Sequence, residues 1–219
     1  MDFHIAAQDD VYVLRDDLLS GGTKYRGLIN FIQTIPDQNI SYAGTVMGHG
    51  ALAFAHACNT LGKCAHIVIA GESDHPMITR LQLTGAELYL SPPSTIAQLY
   101  EQAKTISECC LPPGFATAEF ERELANSVRS LDLSAYSEIW TVAVTGTVSN
   151  ALKIAFPDKT FKTVSVVKST NGDYHAPEKY HQAARTPPPY PACQYTDAKL
   201  WQFAKEHALP NALLWNTAG

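Results

Sequence analysis

From residue 39 onward the chain alternates short runs of β-branched and aromatic residues with longer segments of helical spacing, and glycines mark most of the joints. Residues 40–44 (ISYAG) and 65–71 (AHIVIAG) read as strands. They flank an apolar helical segment, residues 51–61, that ends at Gly62. Residues 75–85 (HPMITRLQLTG) have helical spacing and stop at Gly85, and residues 86–90 (AELYL) follow as another strand. Ser94 or Thr95 can begin a helix reaching about Ser107, LPPG at 111–114 breaks the chain, and residues 118–130 predict one more helix. The run IWTVAV at 139–144 has the composition of a buried strand. It leads into TGTVSN, a short helix (ALKIAF) and a further strand at 162–168 (KTVSVVK). Strands that alternate with helices in this way cannot be joined as hairpins, so the pattern predicts α/β layers with mainly parallel pairing.

Beyond Lys168 the order weakens. The proline run in RTPPPYPAC lacks the amides that a central strand needs, so residues 169–193 read as an ordered surface loop. A helix at about 197–207 and a strand at 212–216 (ALLWN) complete the pattern. A chain of 219 residues with 46% hydrophobic content can bury a substantial core. Its acidic start lacks the basic region of a leader, and no segment approaches the roughly 18 apolar residues of a membrane span. A cytoplasmic protein with no membrane contact is expected. Five cysteines without a CxxC pair do not suggest a disulfide framework, and eight histidines without metal-ligand spacing suggest no metal.

Three turns carry residues with chemical potential. In SGGTKYRGL, residues 20–28, Lys24 follows two glycines and opens an apolar helix. A cation sits poorly at the positive end of a helix dipole, so this lysine has a reason to be uncharged; a plain exposed lysine is the alternative. In GTVMGHG, residues 44–50, glycines let backbone amides near Thr45, Met47 and Gly48 face a carboxylate at the start of the next helix. His49 lies in that turn as a ligand contact or as a capping or core residue. In TGTVSN, Thr145, Gly146, Thr147, Val148, Ser149 and Asn150 combine hydroxyls, an amide and a helix start, a set suited to a phosphate monoester or to an ordinary helix cap.

Taken together and in this order, these turns resemble the enzymes of the tryptophan synthase β fold, which use pyridoxal 5'-phosphate (PLP). The nearest resemblance is to the aminocyclopropane-carboxylate deaminase and D-cysteine desulfhydrase branch, in a shortened, phage-like form. SGGTKYRGL resembles that family's lysine motif, TGTVSNAL its phosphate loop, YTDAK at 195–199 its YxGK motif, and LLWNTAG its terminal HTGG strand. The resemblance implies a two-lobed α/β protein with open, twisted, mainly parallel sheets and helices on both faces. Residues 1–38 and 133–219 would form the larger, cofactor-anchoring lobe and residues 39–132 the smaller one. It further implies PLP as a Schiff base on Lys24, Tyr195 beside the cofactor ring, Thr196 at the pyridine nitrogen, and a homodimer.

The family's Ser-Asn-His falls on Gly48, His49 and Gly50. The serine is missing, and His49 stands where an asparagine would meet the phenolic oxygen. Decarboxylation needs no such serine, because carbon dioxide leaves without a base and only a proton must return to Cα. A PLP-dependent lyase that decarboxylates an amino-acid group is therefore the expectation, with Lys24, Tyr195 and His49 as catalytic residues. The amino-acid group could be carried on modified thymine in phage DNA, met by the basic residues Lys162, Lys168, Lys179 and Arg185. The alternatives are a deaminase or desulfhydrase of a free small amino acid and a PLP-binding protein without turnover.

Overall fold

Parallel strands need crossover segments, and the alternating pattern supplies them twice, once for each of two sheets. The computed structural model describes residues 1–219. Four strands form an all-parallel sheet: β3 (Asn39–Thr45), β4 (Cys64–Ala70), β5 (Glu87–Ser91) and β6 (Cys109–Leu111), in the order β5-β4-β3-β6. Helices α2 (Gly50–Thr60), α3 (Pro76–Gln82) and α4 (Ile96–Lys104) make its crossovers. Thr95 and Gln98 cap α4 reciprocally.

The second sheet has the order β1-β2-β10-β7-β8-β9. It is built from β1 (Ile5–Gln8), β2 (Val11–Arg15), β7 (Ile139–Ala143), β8 (Phe161–Ser165), β9 (Tyr174–His175) and β10 (Leu213–Asn216). Only β1 pairs antiparallel, across the hairpin to β2. Strands β7 and β10 are buried at every residue, as central parallel strands must be. Helix α6 (Thr147–Ala155) joins β7 to β8, and α7 (Ala198–His207) precedes β10.

Three elements differ from the sequence expectation. Residues 5–15 of the acidic N-terminal segment form the β1–β2 hairpin. Cys109–Leu111 is a three-residue strand that periodicity cannot resolve. Within the expected loop after Lys168, Tyr174 and His175 pair with β8. No helix is long and apolar enough to cross a membrane.

Helix α1 (Thr23–Gln33) ties the two sheets together. It packs on α2 and on α5 (Ala118–Val128), which packs on α6. One hydrophobic cluster accordingly includes Ile40 and Ile67 of one sheet with Ile139, Leu213 and Trp215 of the other. The helix is fixed at its first turn by polar contacts inside that core. Asp16 accepts from Thr23 Oγ1 at 2.7 Å and from Arg26 Nη2 at 2.7 Å, and Trp215 Nε1 donates to Thr23 Oγ1 at 3.0 Å. Asp16 and Arg26 are both buried, so each charge depends on the other. Asp16→Ala strands the guanidinium and removes a partner of Thr23. It is expected to cost about 3–5 kcal/mol in urea unfolding. The Asp16→Leu, Arg26→Met pair, which strands no charge, should recover more than half of that loss.

Candidate active site

The two sheets present the C-terminal ends of β3, β7 and β10 to one cavity of about 400 Å3, within the usual size of a small-molecule site. Open parallel sheets bind ligands at this end, where loops leave the strands and helices begin. Lys24 and Asp197 are the only lysine, arginine or carboxylate side chains in its wall.

Lys24 is placed there by backbone geometry. Gly22 precedes α1 with φ +72° and ψ −162°, a combination open to glycine alone, and a Cβ on it would overlap the Thr217 carbonyl oxygen. That carbonyl accepts from Thr23 N at 2.9 Å. The glycine turn therefore lies directly on the end of β10, and Lys24 comes next. The ammonium has no hydrogen bond or ion pair; it lies over the Phe115 ring, 5.5 Å from Nζ to centroid. Burial brings the amine down from the ordinary lysine range to about 8, and the charge of Asp197 acts in the opposite direction.

The turn between β7 and α6 is the second wall. Gly146 is left-handed at φ +84°, and α6 starts with no side-chain cap, so the amides of its first turn are available to a ligand. Thr145, Gly146, Thr147 and Val148 line the cavity, and the hydroxyls of Thr145 and Thr147 are 2.9 Å apart. Ser149 turns back to donate to the Gly146 carbonyl, and Asn150 donates outward to Glu121. Neither of those two is in the lining.

The third wall is the turn after β3. Thr45, Gly48, His49 and Gly50 line it, whereas the Met47 side chain packs against the hydrophobic core and its carbonyl lies 3.5 Å from Cys193 Sγ. His49 Nε2 is 3.2 Å from Arg80 Nη1, and its Nδ1 is buried without a partner. Burial, with the Arg80 charge as a second cause, lowers this imidazole to about 4.

Two groups that sequence reasoning did not single out complete the wall. Tyr180, from the loop between β9 and α7, lies so close to the third turn that a Cβ on Gly48 would be 2.8 Å from its hydroxyl. Burial raises this phenol, so it is neutral at physiological pH. Asp197 is held by three donors: Thr196 Oγ1 at 2.7 Å, Thr217 N at 2.7 Å and Thr217 Oγ1 at 2.6 Å. Burial raises its carboxyl while those hydrogen bonds oppose the rise. Thr196 lines the cavity as expected, but its hydroxyl proton is given to Asp197. Tyr195 is half-buried and outside the lining, which receives Tyr180 instead. A carboxylate adjoining Thr196 in YTDAK was a visible signal for Asp197; Tyr180 had none, because its approach to Gly48 joins residues far apart in the chain.

No family model matches the chain, and no curated protein matches it. Solved structures do. An ACC deaminase homologue superimposes with a TM-score of 0.79 at 15% identity, over 95% of this chain and 84% of that one. Maize serine racemase gives 0.71 at 11% identity, over 99% and 88%. A pyridoxal 5'-phosphate-dependent aspartate racemase gives 0.59 at 12% identity, over 98% and 74%. The chain therefore has the two-sheet α/β fold of these proteins, the one its turn motifs resembled.

The glycine turn that presents Lys24 leaves no room for substitution. Gly22→Ala should lose about 3 kcal/mol or more, because overlap with a backbone oxygen adds to backbone strain. Gly62→Ala, at φ +66° with open space around it, is the control and should lose about 1–2 kcal/mol. Denaturant unfolding of the two variants measures the difference.

Proposed function

We propose that the cavity binds pyridoxal 5'-phosphate on Lys24 and that the chain is a lyase acting at Cα of an amino acid. The observation that carries this reading is an unpaired amine of lowered proton affinity in a cavity that also holds the free first-turn amides of α6 and a buried carboxylate. One solved structure of the same fold is named for its dependence on this cofactor, and others are named as a racemase and a deaminase homologue.

The residues present fit the group. Thr145, Thr147 and the amides that follow Gly146 suit a phosphate, since a helix start with free N–H donors favours an anion. Asp197 is the one carboxylate available to a ring nitrogen, and the three hydrogen bonds it accepts oppose the rise that burial gives its carboxyl. Lys24 is the one amine available to an aldehyde. When bound, the cofactor supplies an electron-withdrawing ring that makes one bond at Cα labile.

The chain's own side chains then orient the substrate and move protons. The turn at Thr45–Gly48 offers hydroxyl and amide donors to a substrate carboxylate. Lys24 is close enough to neutrality to take a proton at its amine near physiological pH, and Tyr180 can give one from its hydroxyl. The expectation of decarboxylation rested on the missing serine of the third turn. Tyr180 brings another hydroxyl to that turn, and Asp197 adds a carboxylate where only the Thr196 hydroxyl was expected. We therefore favour proton abstraction at Cα of a free amino acid that carries a leaving group on Cβ. The Cα–H and Cβ–substituent bonds break, the substituent departs with a proton, and the released enamine takes up water to give a keto acid and ammonia. Decarboxylation, on modified DNA or otherwise, is the second reading. Incubating the protein with PLP and a panel of amino acids separates them. Ammonia with a keto acid is expected, and carbon dioxide without ammonia would reverse the choice.

The amine itself is testable without a substrate. Borohydride treatment of protein with PLP should leave the cofactor on Lys24, located by mass spectrometry, and Lys24→Ala should carry none. The pH dependence of adduct formation should follow one ionisation near 8, since only the neutral amine attacks the aldehyde. Asp197→Asn removes the charge that raises this value, so the midpoint should fall below that of the wild type.

A further inference from the structure

Lys24 carries the only positive charge in the cavity wall, and its one close partner is an aromatic ring. Nζ lies over Phe115, 5.5 Å from the centroid. A cation within about 6 Å of an aromatic ring is drawn to the negative potential of the ring face, more strongly where water is excluded. Few other groups act on this amine. Asp197 attracts it from across the cavity. Burial lowers His49 to about 4 and raises the phenols of Tyr42 and Tyr180, so these three wall residues are neutral at physiological pH. Arg80 contacts His49, Arg26 is paired with Asp16, and neither arginine lines the cavity.

The ring is held in place by a strained backbone. Phe115 has φ +58°, a left-handed conformation that a bulky residue rarely adopts. Such a conformation persists where its surroundings fix it, and it gathers at functional sites. Here the Phe115 amide donates to the Pro112 carbonyl at 2.8 Å and the Gly114 amide to the Tyr42 hydroxyl at 3.2 Å. The ring is fully buried, stacked on Tyr42 with centroids 4.5 Å apart and set against Phe120 at 5.3 Å. Filling the core asks only for apolar volume, whereas this turn also brings a π system to the amine. We propose that Phe115 is a positioning residue for Lys24: its ring holds the charged amine inside the cavity and extends the pH range over which that amine keeps its proton. A neutral amine gains nothing comparable from the ring, so the contact acts with Asp197 and against burial. An amine that gives up its proton to attack an aldehyde then has a fixed place to which its charged form returns. That use rests on the proposed function, whereas the effect of the ring on the amine does not.

Fluorination separates the charge of the ring face from its shape, because fluorines withdraw electron density and change the volume little. The full-length protein, free of added cofactor and labelled with 13C and 15N in its lysines, is prepared with phenylalanine carrying none, one, two or three fluorines at position 115 alone. The Lys24 side-chain signal is followed by NMR across pH, and Lys24→Met identifies it by its loss. Its titration midpoint is expected to fall with each added fluorine, by about half a pH unit or more in total, while the thermal midpoint stays near that of the wild type. A ring that served packing alone would leave the titration where it is, so a midpoint that does not move, or that rises, overturns the proposal. PLP and borohydride are then applied over the same pH range. A midpoint of adduct formation on Lys24 that falls in parallel supports the role of the ring in the attack, and one that ignores the fluorines refutes that role. Absence of any adduct would sink the proposed function instead, with the effect of the ring on the amine already measured.

Discussion

The site depends on how the first turn of α1 is fastened to the end of β10. Thr23 is the fastening point. Its amide donates to the Thr217 carbonyl, and its hydroxyl donates to Asp16 and accepts from Trp215. These bonds lie in the core, where each is stronger than in water and where an unmet donor would be expensive. Gly22 is the only residue that permits so close an approach, because any side chain would enter the Thr217 carbonyl. Lys24 follows one residue after the fastening point, so the contacts that hold Thr23 in the core also fix where Lys24 enters the cavity. Thr217 holds both sides of the arrangement, with its carbonyl on Thr23 and its amide and hydroxyl on Asp197. The two charged groups of the cavity are therefore set by one residue at the end of one strand.

That placement explains the electrostatics. A lysine taken out of water tends to lose its proton, and an aspartate taken out of water tends to gain one. Lys24 has no hydrogen bond to resist the first tendency and falls to about 8. Asp197 has three donors to resist the second, which favour its charged form. Burial moves both groups toward their neutral forms, the amine with no hydrogen bond to hold its charge and the carboxyl against three donors that oppose the change.

Much of this was legible in the sequence, for a local reason. Lys24, the turn at 145–148 and the turn at 45–50 are each strand-to-helix or loop-to-helix joints, and glycine with hydroxyl residues at such joints is a short-range signal. The alternation of strands and helices was equally local and gave the layered fold. What was not legible depended on distance along the chain. The N-terminal hairpin forms because β2 can pair with β10, some two hundred residues away. Tyr180 was invisible because its loop has no periodicity, and Arg80 because its partner lies on a different element. Asn150 and Ser149 were legible as polar residues, but helix geometry turns them away from the cavity, and composition does not show direction.

The loop that carries Tyr180 connects these observations to the glycine at position 48. Helix α7 starts at the cavity with Asp197 just before it, and two of its side chains reach the loop: Lys199 Nζ donates to the Lys179 carbonyl at 2.8 Å, and Gln202 donates to Glu178 at 3.2 Å. Glu178 also accepts from the Arg185 amide, which closes the loop on itself. Tyr180 lies inside this clasp, so its hydroxyl reaches Gly48 from a braced backbone. A serine at position 48 and a tyrosine hydroxyl in its present place are mutually exclusive, because the Cβ alone would come within 2.8 Å of the oxygen. The glycine is therefore half of a pair. Position 48 carries no side chain of its own, and the loop facing it brings a phenol there that burial keeps protonated.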